Sequence, residues 1–250
     1  MRIAKLSCTY IDVRWHFKKH TGLETGTNST AKYELKYLNI QNMRKLKQMI
    51  SNRNRRKKFE LALSVIKAND NIIDIGVDPS LGGNTNYFEK WFKLSNELTC
   101  LGVYSDFSEF KQEFPNFNLV EFNGVDFPSF EKKFDFAFSN AVIEHVGDYN
   151  KQVKWLSEIA KISNALLITT PNRWLPFETH TMTFFIHWFP DNIRNYIYRK
   201  IGKTWASNDY MWLLGEKDLK RAIREAGFEI SSFYKNKFLF FTIDFVAICK

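Results

Sequence analysis

The chain has 250 residues, enough for a large domain with a real hydrophobic core. Hydrophobic residues make up 44% and charged residues 25%, the composition of an ordinary globular protein rather than a disordered or fibrous one. A formal net charge of +9 favours anionic partners (nucleic acid, phosphorylated small molecules or an anionic membrane surface) without choosing among them. The three cysteines, Cys8, Cys100 and Cys249, show no zinc-type spacing and imply no disulfide framework. Cys100 and Cys249 sit in apolar runs and read as core thiols, which fits a reducing cytoplasm. No apolar run reaches the roughly 18–20 residues that span a bilayer, and residues 1–19 lack the apolar stretch of a signal peptide.

Residues 1–69 read as an N-terminal extension. Its Gly/Thr/Asn/Ser-rich stretch at 22–30 predicts a loop, and 31–67 predict helix. Eight Lys/Arg fall between Arg44 and Lys58, while Met43, Leu46 and Ile50 recur on one face. A helix here buries one side and leaves the other basic. That face is a candidate for peripheral contact with an anionic membrane; a solvated surface is the plainer alternative.

From residue 70 the rhythm changes. Strands are predicted at Ile72–Ile75, Leu98–Tyr104, Leu119–Phe122, Phe134–Phe138 and Ala165–Thr169. Helices fit between them near Tyr87–Leu94, Phe107–Glu113 and Tyr149–Lys161. Such alternation predicts a parallel α/β sheet. Residues 171–214 interrupt it with eleven aromatic side chains, from Trp174 to Trp212, and read as an inserted cap. A helix from Glu216 to Ala226, with Gly227 as its C′ residue, and strands near Ile230–Tyr234 and Leu239–Ile248 close the chain.

Four segments carry candidate chemistry. In Ile72-Ile73-Asp74-Ile75-Gly76-Val77-Asp78, a buried strand ends in glycine, which lets a ligand approach the backbone. Asp74 is a candidate for holding that loop or for meeting a cationic amino group. Asp106, after the second strand, is placed either to accept ribose hydroxyls or to cap the next helix. In Glu121-Phe122-Asn123-Gly124, Asn123 is a candidate for reading an adenine edge with Gly124 allowing close approach; the alternative is a plain turn. The fourth segment runs Phe134-Asp135-Phe136-Ala137-Phe138-Ser139-Asn140-Ala141-Val142-Ile143-Glu144-His145-Val146. A strand ends there at Ser139-Asn140, with a polar pair just beyond.

The order of these four segments resembles class I S-adenosylmethionine-dependent methyltransferases over roughly residues 70–170. The string from Thr169 to Thr181, Thr-Thr-Pro-Asn-Arg-Trp-Leu-Pro-Phe-Glu-Thr-His-Thr, is similar to a narrower group of small bacterial methyltransferases. The resemblance implies a doubly wound, mostly parallel seven-stranded sheet over 70–250, with the helical extension and the aromatic cap added to it. It implies S-adenosylmethionine held near Asp74, Gly76, Asp78, Asp106, Asn123, Gly124, Ser139 and Asn140. Two departures stand out: Asp78 replaces the second glycine of the usual D-x-G-x-G, and Tyr104-Ser105 precede the acidic residue expected after strand two.

Methyl transfer to a hydroxyl needs a base near the oxygen. The candidates are His145, His180 and His187, with Glu144 and Glu178 as orienting partners. Arg173 is a candidate for an acceptor carboxylate or phosphate, and Trp174 and His187 for the acceptor pocket. No metal-ligand spacing is visible, so metal-independent transfer is expected. The expected acceptor is a small molecule or glycan, a sugar hydroxyl in surface polysaccharide synthesis. Nucleic-acid methylation is the first alternative, but Ser139-Asn140-Ala141-Val142 replaces the Asn/Asp-Pro-Pro-Tyr/Phe signature of amino-methylating enzymes. A non-catalytic binding protein on the same fold is the second.

Overall fold

The computed structural model describes residues 45, 48–82, 85–178, 180–207 and 211–250. The chain divides into two compact units, 1–49 and 50–250. Most of the first, including the loop expected at 22–30, lies outside the described residues. The boundary expected at 69/70 falls inside the second unit.

That unit is built on a seven-stranded sheet. Its strands are β1 (Ile72–Ile75), β2 (Leu98–Val103), β3 (Asn118–Phe122), β4 (Phe136–Asn140), β5 (Leu166–Pro171), β8 (Ile230–Phe238) and β9 (Phe241–Cys249). Their order is β3-β2-β1-β4-β5-β9-β8. β1 to β5 are parallel, and β9 runs antiparallel to both β5 and β8. The order reverses between β1 and β4, which places a ligand crevice beyond the carboxyl ends of those two strands. β4 begins at Phe136 rather than Phe134. Asp135 closes a turn there by taking the Asn71 N–H on its carboxylate and giving its own N–H to the Asn71 carbonyl, both at 2.9 Å.

Each sheet face carries an apolar layer. On one lie α4 (Tyr149–Ile162) and α6 (Glu216–Glu225), packed on Ile73, Ile75, Ala137, Leu166 and Ile168. α4 starts where the Asp148 carboxylate accepts the Lys151 N–H at 3.0 Å. It buries Gln152, Trp155, Leu156 and Ile159, an i, i+3, i+4, i+7 stripe. Each fully buried Leu or Ile contributes roughly 1.5–3 kcal/mol. α6 ends at Gly227, φ +95°, with the Gly227 and Phe228 N–H groups bonding the Arg224 and Ile223 carbonyls.

The opposite layer holds helix α1 (50–63), α2 (Tyr87–Trp91) and α3 (Ser108–Glu113) over Ile72, Cys100, Phe138 and Leu167. α1 does not present all its charge to solvent. Arg53, Arg56 and Lys57 are exposed, but Arg55 lies over the Tyr87 ring. Lys58 is buried and ion-paired with Asp244 at 2.8 Å. Asn54 and Asn236 both donate to the same carboxylate at 2.7 Å, so the buried charges are fully engaged.

The segment expected as a cap contains the β6–β7 hairpin (Phe177–Glu178, Thr183–Phe184) and α5 (Asp191–Lys200). Among the described residues no helix is long and apolar enough to cross a membrane.

Candidate active site

The residues expected to hold the cofactor lie at the carboxyl ends of β1 to β4, and most are engaged in their own turns. Gly76 is exposed, with φ +100°. A Cβ there would fall 2.3 Å from Val142, so glycine is required both by the backbone and by that neighbour. Asp74 is buried and hydrogen-bonded to Glu89. Burial first, then the neighbouring carboxyl, pushes its proton affinity well up. Asp78, in place of the second glycine, accepts the Ser80 N–H at 2.8 Å and closes its own loop.

Asp106 accepts from the Ser108 N–H and hydroxyl and so starts α3. The Asn123 side-chain Oδ1 accepts the Val125 and Asp126 N–H groups at 2.8 Å. Gly124 adopts φ +83°. The Ser139 hydroxyl donates to the Ile75 backbone carbonyl at 3.2 Å, and the Asn140 side-chain Oδ1 accepts from Lys58 and Thr169. Sequence reasoning missed an apolar rim beside these turns. Val103, Tyr104 and Val125 are 52%, 66% and 63% exposed at the ends of β2 and β3.

Beyond β4 and β5 the arrangement differs. Glu144 and His145 lie on a 3-10 turn, Ile143–His145. Gln152 of α4 donates to the Ile143 carbonyl at 3.0 Å and to the Trp212 carbonyl at 2.8 Å, while the Trp212 N–H bonds the Glu144 carbonyl at 2.7 Å. The turn is therefore fixed from two sides. His180, from the cap, meets it: the His145 and His180 rings pack edge to face with centroids 5.5 Å apart. Glu144, His145 and His180 each present a ligand-type atom, and these lie within 4.8 Å of one another.

Glu144 is fully buried. Oε2 accepts from the Thr170 hydroxyl at 3.1 Å, and Oε1 has no hydrogen-bond partner. Burial pushes its carboxyl up. Glu178 is buried too. Burial alone would raise its carboxyl, but the His180 ring, the Thr181 hydroxyl and the N–H groups of His180 and Thr181 together bring it down to about 2. The His180 Nδ1 lies 2.8 Å from Glu178 Oε1. A carboxylate on one ring nitrogen fixes the tautomer and leaves the other nitrogen to act. The three residues expected to carry catalysis thus converge, with Glu178 as the expected orienting partner. Thr170, Gln152 and Trp212 complete the support; their contacts cross long stretches of chain and have no local signature.

The residues expected to bind the acceptor lie in the cap segment. His187 is buried, with Nε2 3.1 Å from the Arg173 carbonyl. Arg173 and His187 line a pocket within the cap, together with Thr181, Arg194, Tyr198 and Trp212. Trp174 is 61% exposed, with the Arg173 guanidinium 5.6 Å from its ring centre. Phe184, Phe185, Trp188, Tyr196 and Trp205 are exposed as well, so much of the cap's aromatic surface is not core.

A seven-stranded sheet with one reversed strand, a switch point between β1 and β4 and a polar cluster beyond β4 defines the class I methyltransferase architecture. Residues 43–232 match the family model described as a methyltransferase domain, and the chain belongs to that family. No curated protein sequence matches. Among solved structures, a SAM-dependent methyltransferase from Methanosarcina mazei is similar at TM-score 0.53 and 16% identity, over 76% of this chain and 95% of that one. One from Clostridium acetobutylicum gives 0.54 and 8%, over 78% and 91%. The N-methyltransferase NodS of Bradyrhizobium japonicum gives 0.50 and 12%, over 80% and 95%.

The fold is shared with S-adenosylmethionine-dependent methyltransferases, and the family is one of methyltransferase domains. The strand ends fit that cofactor. Exposed Gly76 at the switch point offers open backbone, and the Val103–Tyr104–Val125 rim offers apolar surface for a purine. Bound there, S-adenosylmethionine would supply an activated methyl group, and the chain would supply position and exclusion of water.

Proposed function

We propose that the enzyme methylates a hydroxyl oxygen on a small molecule or glycan, with Glu144, His145 and His180 as the acceptor-activating site. The observation that carries this reading is their convergence beside Glu178. The acceptor hydroxyl gives its proton to the His180 imidazole, whose Nδ1 is held by the Glu178 carboxylate. The oxygen takes the methyl group in line as the carbon–sulfur bond breaks and its electron pair returns to sulfur. Arg173 and His187, with the exposed cap aromatics, supply acceptor contacts. Sugar faces stack on such rings, which supports an acceptor from surface polysaccharide synthesis. So does the affinity of the Thr169–Thr181 string with small bacterial methyltransferases.

The test is label transfer. Enzyme and methyl-labelled S-adenosylmethionine are incubated with separated saccharide, small-molecule and RNA fractions. Label in saccharide or small-molecule hydroxyls is expected; label confined to RNA would overturn the reading.

Peripheral contact with an anionic membrane belongs to the same proposal. Arg53, Arg56 and Lys57 are exposed on α1. The β8–β9 turn exposes Phe238, Leu239, Phe240 and Phe241, with Phe240 at 93%. Asn54 joins α1 to β9 near this tip. Basic charge adds roughly 1 kcal/mol per residue near anionic lipid, and an apolar tip adds a second anchor. Sedimentation with anionic vesicles at low salt is expected to carry the protein down, and neutral vesicles are not. Equal behaviour with both removes the membrane from the account.

A further inference from the structure

We infer that Glu144, His145 and His180 form a binding site for one divalent transition-metal ion, such as Mn²⁺, Co²⁺ or Zn²⁺. The inference rests on the reading of this cluster as the acceptor-activating site and names the agent that serves it. Two imidazoles and one carboxylate are the donor set of open, catalytic metal sites, in which three protein ligands leave positions for substrate oxygen. The three ligand-type atoms lie within 4.8 Å of one another. Around an ion with bonds near 2.1 Å, neighbouring donors stand about 3.3 Å apart, so side-chain movements of about an ångström close the site.

A second observation points to a cation independently. Glu144 is fully buried, yet Oε1 has no partner, while Oε2 is held by Thr170. A buried carboxylate oxygen left unpaired is costly, and an ion satisfies it. The surroundings also match a metal site. Glu178 Oε1 holds Nδ1 of His180, so Nε2 is the nitrogen His180 offers; such a carboxylate on the far ring nitrogen is the usual support of a metal-bound histidine. Imidazole donors favour the transition series over Mg²⁺. With the ion in place His180 is a ligand, an acceptor hydroxyl takes an open position, and its proton leaves to water. This reading departs from the metal-independent transfer expected because no ligand spacing is visible along the chain. The donors come from β4's end and from the cap, and only the fold unites them.

The full-length protein is stripped with chelator and dialysed against Mn²⁺, Co²⁺, Zn²⁺ or Mg²⁺ in turn. Bound metal is counted by mass spectrometry and the melting temperature is recorded. About one equivalent of a transition ion, with a raised melting temperature, is expected in the wild type. Retention should fall about tenfold or more in His180→Ala, His145→Ala and Glu144→Gln. His145 and His180 are not buried, so their variants keep the fold if Glu144→Gln does not. Metal kept by both histidine variants would place it elsewhere, for example on His16 or His20, and would overturn the site. No retention by the wild type would overturn it as well. If stripped enzyme turns over normally while His180→Ala does not, the ion is rejected and the base role stands. Metal bound at the cluster with no effect of these variants on turnover would reject the activating role and leave the metal site.

Discussion

The carboxyl ends of β1 to β3 and the space beyond β4 and β5 show opposite economies of polar groups. At the first, Asp78, Asp106 and Asn123 each satisfy N–H groups two or three residues away, and their chemistry stays local. What remains outward is backbone and apolar surface. At the second, Glu144, His145, His180 and Glu178 come from separate segments, and one buried carboxylate oxygen is left unsatisfied. Close-range motifs build the proposed shelf for a cofactor whose reactivity is its own. Long-range assembly builds the place where, on the reading proposed here, a proton is handled.

The largest expected effect is on turnover. His180→Ala should lower it about 10²–10⁴-fold, whether the ring takes the acceptor proton itself or holds the ion that activates the acceptor. Glu178→Gln should cost less, because the ring is then misdirected rather than absent. Steady-state transfer to the labelled acceptor measures both; a variant within about twofold of wild type would end the contrast drawn above.

Next comes the support on the opposite sheet face. Lys58→Ala leaves Asp244 buried without its cation, and about 3–5 kcal/mol of stability should be lost. Urea unfolding measures it. A loss under about 1 kcal/mol would show that the pair behaves as a surface bridge.

A smaller effect sharpens the cofactor side. The Asp74 carboxyl is raised by burial and by Glu89. Its folded-state proton affinity exceeds the unfolded value, so its contribution is full below the ordinary carboxylate range and is lost as pH rises through the raised value. Asp74→Asn should therefore raise the melting temperature at neutral pH and flatten its fall with rising pH. An unchanged pH profile would mean that the pair is not a stability term.

Much of this was legible in the chain. The runs Ile72–Ile75 and Leu98–Val103 are short and apolar because both sheet faces bury them, and the α4 stripe marks its covered side. His145, His180, Glu144 and Glu178 could be named because each lies just past a strand end or in the cap. Their meeting could not be read, since it depends on the β6–β7 hairpin returning over the β4 turn. Lys58 misled for a related reason: within a basic run nothing marks the one lysine that faces Asp244, almost the whole domain away in sequence. The Val103–Tyr104–Val125 rim was hidden because an exposed valine at a strand end looks identical to a buried one.

The division between shelf and reaction site is tested most directly by calorimetry with S-adenosylhomocysteine on two variants side by side. Val103→Asp places a charge on the apolar rim of an exposed position and should weaken binding about tenfold or more, about 1.4 kcal/mol, with little change in melting temperature. His180→Ala should bind like the wild type. Undiminished binding in Val103→Asp, or an equal loss in His180→Ala, would contradict it.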